Sequence, residues 1–157
     1  MLDAGPYHRG VQRFVQDLNK LYLAEPGLWY ADFDPEGFQW IDWQDSQHSV
    51  LSFLRRAPDR GSELAVILNL TPVPRLRYRL GLPSPGKWLE VLNSDAAVYG
   101  GSNVGNMGGV IAEELKSHNL PCSAEFALPP LAVLVFRLAP ELTPEAALKS
   151  AEESNSG

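Results

Sequence analysis

The feature that most constrains this chain is a change of hydrophobic period at Pro26. Before it, "YHRGVQRFVQDLNKLYLAEP" sets Val11, Phe14, Val15, Leu18, Leu21 and Tyr22 at i, i+3, i+4, i+7, i+10 and i+11. That spacing is one apolar stripe on a 3.6-residue helix. His8, Arg9, Arg13, Gln16, Asp17 and Lys20 fall on the other face. Pro6 suits a first helical turn, where its missing N–H costs nothing. Pro26 disfavours helix at Glu25, so the helix is expected to stop there.

Beyond Pro26 the period becomes 2. "GFQWIDW", "SVLSFLRR", "ELAVILNL", "RLRYRLG", "KWLEVLN", "GVIAEEL", "SAEFAL" and "LAVLVFRL" read as short strands. In the fourth, Arg75, Arg77 and Arg79 alternate with Leu76, Tyr78 and Leu80, which predicts one wet face and one buried face. "ELAVILNL" and "LAVLVFRL" are nearly unbroken apolar runs and are expected at the centre, between two packed layers. "DPEG", "APDRGS", "TPVP" and "PSPG" supply turn chemistry between strands. The expected fold is mainly β: an antiparallel β-sandwich of about eight strands preceded by one amphipathic helix. Residues 1–26 form the helical unit and 27–139 the all-β domain. Residues 140–157, polar and poor in aromatics, are expected to be a disordered tail.

Composition removes several function classes. A formal charge of −6 opposes nucleic acid and anionic membranes as partners. Cys122 is the only cysteine, so no intrachain disulfide can form. With His8, His48 and His118 it fits no metal-ligand spacing, and neither a metal nor a cofactor is expected. There is no run of eighteen apolar residues and no signal-peptide pattern at the N-terminus, which sets the expectation of a soluble, cytoplasmic chain.

Catalytic constellations are equally thin. "YGGSNVGNMGGV" is glycine-rich but carries no lysine and no P-loop offsets, so it reads as a long inter-strand connection whose glycines and asparagines adopt positive φ. No Ser or Cys has a histidine at nucleophile–base spacing; Cys122 reads as a small packed hydrophobe. Asp32, Asp34, Glu36, Asp42 and Asp45 cluster, yet Asp34 sits where a turn calls for aspartate. Aromatics are the remaining signal. Phe38, Trp40 and Trp88 read as core, with alternation placing Trp40 and Trp43 on opposite faces of one strand. Exposed aromatic faces can stack on sugar rings, and Trp29, Trp43 and Tyr99 are the candidates.

Three stretches carry a resemblance: "DFDPEGFQWIDW", "NLTPVPRLRYRLGLPSPGKWLEVLNSDAAVYGGSNVGNMGG" and "LPPLAVLVF". Together they closely resemble the C-terminal region of bacterial 1,4-α-glucan (glycogen) branching enzymes, of the α-amylase superfamily, over about residues 7–138. "HRGVQRFVQDLNKLY" resembles that family's last barrel helix. The resemblance implies a parent hexosyltransferase of glycogen biosynthesis that converts α-1,4 into α-1,6 linkages by retaining double displacement. Its carboxylates would lie on a (β/α)₈ barrel. Nothing here matches those barrel motifs, so no catalytic residue is assigned and this chain by itself is expected to be inactive. The implied partners are that barrel and α-glucan. If uncovered, the Val11, Phe14, Leu18 and Leu21 stripe would favour self-association. A free-standing α-glucan-binding module and the C-terminal domain of another superfamily enzyme are the alternatives.

Overall fold

Pro6 and Pro26 bracket the helix as their chemistry requires. The computed structural model describes residues 5–140, and α1 runs Pro6–Ala24. Gly5 precedes it without a side-chain cap, Pro6 opens it, and Glu25 is already extended at φ −110° and ψ 98°. The expected tail lies, beyond Pro140, outside the described residues.

Eight strands follow: β1 (Phe38–Asp42), β2 (Val50–Ala57), β3 (Ser62–Asn69), β4 (Arg75–Leu82), β5 (Gly86–Asn93), β6 (Gly109–Ala112), β7 (Cys122–Leu128) and β8 (Ala132–Leu138). All pairings are antiparallel. One sheet has the order β1-β2-β3-β8-β5-β6, and β4 pairs with β7 in a second. The mainly-β sandwich with one leading helix is therefore the fold.

β3 and β8 lie side by side inside the large sheet, and their unbroken apolar runs follow from having two faces to cover. Ala65, Ile67, Leu134 and Phe136 point inward with Leu80, Leu82, Trp88 and Phe126 into the inter-sheet core. Leu64, Val66 and Val135 point outward, where Phe14 and Leu21 of α1 pack on them. At about 25 cal/mol per Å² of apolar surface, the inter-sheet core supplies most of the stabilisation.

The alternation of β4 holds only in its second half. Leu80 is buried, but Leu76 is 64% exposed because the β4–β7 register shifts between Arg75 and Tyr78. A register shift there breaks the two-residue period the sequence displays.

Candidate functional site

β1 is an edge strand, and its pairing with β2 shifts register between Trp40 and Asp42. Strict alternation would send Trp40 and Trp43 to opposite faces. The irregularity, together with the end of the strand at Asp42, frees Trp43 from that rule. Trp40 and Trp43 are both among the residues that line one hollow of about 390 Å³, with Gln39, Asp42, Gln44, His118 and Asn119. Trp40 is 46% and Trp43 59% exposed. Trp40 is thus not the core residue its strand position predicts. Its ring is steadied edge-on by Phe38 at 5.1 Å and Phe53 at 5.9 Å, leaving surface open to solvent. Trp88 is fully buried as expected, its indole N–H donating to Ser84 O at 3.1 Å.

The far wall of the hollow is a tight hairpin turn. His118 and Asn119 have φ of 52° and 60°, the two-residue geometry that matches strand twist, between the bridged pair Ser117 and Leu120. His118 Nδ1 accepts the Gly81 N–H at 3.1 Å, which leaves the proton on Nε2, 3.3 Å from Asp42 Oδ2. Asp42 Oδ1 accepts the Gln44 N–H at 2.9 Å. Beside it, Asp45 accepts from the Tyr78 hydroxyl at 2.6 Å and lies 2.8 Å from His48 Nδ1. Burial would raise the Asp45 carboxyl, but the hydrogen bonds from Tyr78 and His48 outweigh it and hold the group below its ordinary value. Burial and that same carboxylate push the Tyr78 hydroxyl far upward.

Two more acids of the cluster, Asp34 and Asp32, also have structural partners. Asp34 caps its turn through the Glu36 N–H at 3.0 Å, and Asp32 pairs with Arg55. Among the described residues no group of three or more metal-type side chains stands together. The hollow is therefore lined by two partly exposed tryptophans together with amide, imidazole and carboxylate residues, a set suited to binding.

The sequence-predicted aromatics do not converge. Trp43 joins Trp40, whereas Trp29, 37% exposed, packs edge-on to Tyr30 at 6.2 Å and does not line the hollow. Tyr99 docks the helix: its hydroxyl donates to Asp17 Oδ2 at 2.7 Å, and its ring meets Phe14 at 5.2 Å. Burial, then the Asp17 carboxylate, push that hydroxyl up to about 12. Sequence reading missed Trp40, His118 and Asn119. The one local signal was the His-Asn pair in "SHNL", a left-handed turn candidate.

The glycine-rich connection from β5 to β6 folds around its own polar groups. Asp95 accepts from the Ser102 and Val104 N–H groups at 3.0 Å each and from Ser102 Oγ at 2.6 Å. Gly100 and Asn103 have φ of 88° and 65°, as the sequence predicted for this loop. Asn106 bonds the Ala127 N–H and C=O, taking the place of a strand partner on β7.

Residues 40–139 match the family model described as the alpha amylase C-terminal all-beta domain. The chain belongs to that family. Within it, the similarity is to branching enzymes. The chain is 51% identical over 144 residues to the 1,4-alpha-glucan branching enzyme GlgB of Parasynechococcus marenigrum, covering 92% of this chain and 19% of that protein. It is 57% identical over 129 residues to GlgB of Cereibacter sphaeroides, covering 82% and 18%. The GlgB of Burkholderia vietnamiensis is 54% identical over 134 residues, covering 85% and 18%. The chain thus spans about a fifth of the length of these relatives. Among the described residues no helix is long and apolar enough to cross a membrane.

Proposed function

We propose that this domain serves a glucan branching enzyme in two ways: it braces the catalytic barrel, and it holds α-glucan at the Trp40–Trp43 hollow. The transfer of α-1,4 chains to α-1,6 positions belongs to the parent, in the cytoplasm, where the free buried thiol of Cys122 stays reduced. Residues 27–139 are the domain proper, and 1–26 connect it to the barrel.

The observation that supports glucan contact is that two exposed tryptophans, Trp40 and Trp43, line one hollow with the polar residues Gln39, Asp42, Gln44, His118 and Asn119. A pyranose ring presents apolar C–H faces to an indole and its hydroxyls to groups such as Gln44, Asn119 and Asp42. Bracing is supported by α1, whose Val11, Val15, Leu18 and Tyr22 stay exposed while Phe14 and Leu21 pack on the large sheet.

The test is a maltoheptaose titration followed through the four indole N–H resonances and the Tyr99 backbone amide. Saturable shifts are expected at Trp40 and Trp43 and none at buried Trp88, with the Trp29 indole and the Tyr99 backbone amide reporting whether glucan extends to them. Unchanged Trp40 and Trp43 signals at millimolar sugar would reduce the domain to a brace.

A further inference from the structure

Below the C-terminal end of α1 lies a second, larger cavity of about 700 Å³. Its walls include Arg56, Arg60 and Arg137 with Glu25, Ser62 and Glu63. These residues come from the helix exit, β2, the following turn, β3 and β8.

The two carboxylates are already engaged. Glu25, only 5% exposed, accepts from Arg137 Nη1 at 2.9 Å on one oxygen and from Ser62 Oγ at 3.0 Å on the other. Glu63 accepts from Arg56 Nε at 2.9 Å, and Arg56 Nη1 donates to Gln39 Oε1 at 2.8 Å. The guanidinium of Arg60 stands 4.8 Å from the centre of the Tyr30 ring and makes no ion pair with a described residue. Asp59 beside it is exposed and does not line the cavity. Arg137 Nε is buried and has no hydrogen-bond partner among the described residues. A buried donor left unmet costs free energy that a bound acceptor would recover. Three cations against two anions leave one surplus positive charge in the wall of a protein whose net charge is −6.

We propose that this cavity is an oxyanion site that takes a phosphate group, free or carried on a sugar. A carboxylate offers two oxygens, enough for one guanidinium fork. A phosphate offers three or more, and three separate guanidiniums surround the space. Arg60 supplies a charge that no carboxylate among the described residues pairs, and Arg137 supplies a guanidinium in the wall, shared with Glu25. The cavity is large enough to hold a hexose phosphate beside them. The cavity shares no lining residue with the tryptophan hollow, although the Arg56–Gln39 hydrogen bond joins their walls.

The experiment follows the arginine Nε–H resonances of the full chain during titration with inorganic phosphate and with glucose 6-phosphate, ionic strength being held by chloride. Saturable shifts at Arg60 and Arg137 in the millimolar range are expected, with exposed Arg77 unmoved. Arg60→Gln should weaken binding roughly tenfold, the loss of one charge-assisted contact. Arg137→Lys keeps a cation for Glu25, so the fold survives, yet it removes Nε and should also weaken binding. Tighter binding of the hexose phosphate would show that the cavity also reads the sugar; equal affinity would show that it reads the phosphate alone. Shifts that grow linearly and alike at Arg77, or an Arg60→Gln variant that titrates like the parent, would overturn the proposal.

Discussion

At the scale of single residues, Asp45 carries the acid sensitivity of the β1–β2 corner. Its carboxylate is held by the Tyr78 hydroxyl and by His48, and its folded-state value lies below the ordinary 3.8. A depressed carboxyl contributes stability that is full above its unfolded value and is lost as pH falls through the folded one. Tyr78→Phe removes the shortest of these bonds and should cost about 1–2 kcal/mol at neutral pH. That cost should shrink as pH falls from ~3.8 through the lower folded-state value, beneath which the carboxyl of both proteins is protonated. Urea midpoints at several pH values measure it; a penalty that stays constant down to acid would show that Tyr78 acts by packing, not through Asp45.

At the scale of elements, α1 is seated by one close approach. A Cβ on Gly10 would stand 2.3 Å from the Tyr99 carbonyl oxygen, so helix and glycine-rich loop touch backbone to backbone. Alanine favours an isolated helix by about 1 kcal/mol over glycine. Here the clash is with backbone, which cannot swing aside, and should outweigh that gain. Gly10→Ala is expected to lower the melting temperature and to speed amide exchange in α1 before the sheets open. Faster exchange everywhere at once would mean that helix and sandwich unfold as one unit. The helix and all eight strands were legible in the sequence because each carries a local period or a proline–glycine boundary. The hollow was legible only in Trp43. Trp40 reads as core until a register shift on an edge strand turns the chain, and His118 lies across a hairpin more than seventy residues away. The arginine cavity gathers positions 25, 56, 60 and 137, whose meeting depends on β3–β8 pairing and leaves no local pattern. Leu76 shows the same limit: alternation was visible, but the break that exposes it was not.

At the scale of the whole molecule, the large sheet is covered unevenly. Its inner face meets β4 and β7, while the outer face has α1 and a groove of about 710 Å³ lined by Phe14, Leu21, Phe53, Val66 and Val135 among others. The helical stripe read from the sequence as one unit is divided by the fold. Phe14 and Leu21 contribute to the domain's own stability, Leu18 borders the groove beside them, and Val11 and Val15 stay exposed outside it. Each apolar side chain left wet forgoes about 1.5–3 kcal/mol of burial, so the outward half favours contact between copies when nothing else covers it. One pair of substitutions and one single substitution separate the roles. Val11→Ser with Val15→Ser should reduce self-association in sedimentation runs and leave the melting temperature within about a degree or two, as surface changes do. Phe14→Ser should cost about 2 kcal/mol, less than for a fully buried phenylalanine because its ring is only half-buried. If instead the outward pair unfolds the domain, α1 depends on those side chains for its own seat. The groove would then belong to the sandwich and offer no free face to a barrel.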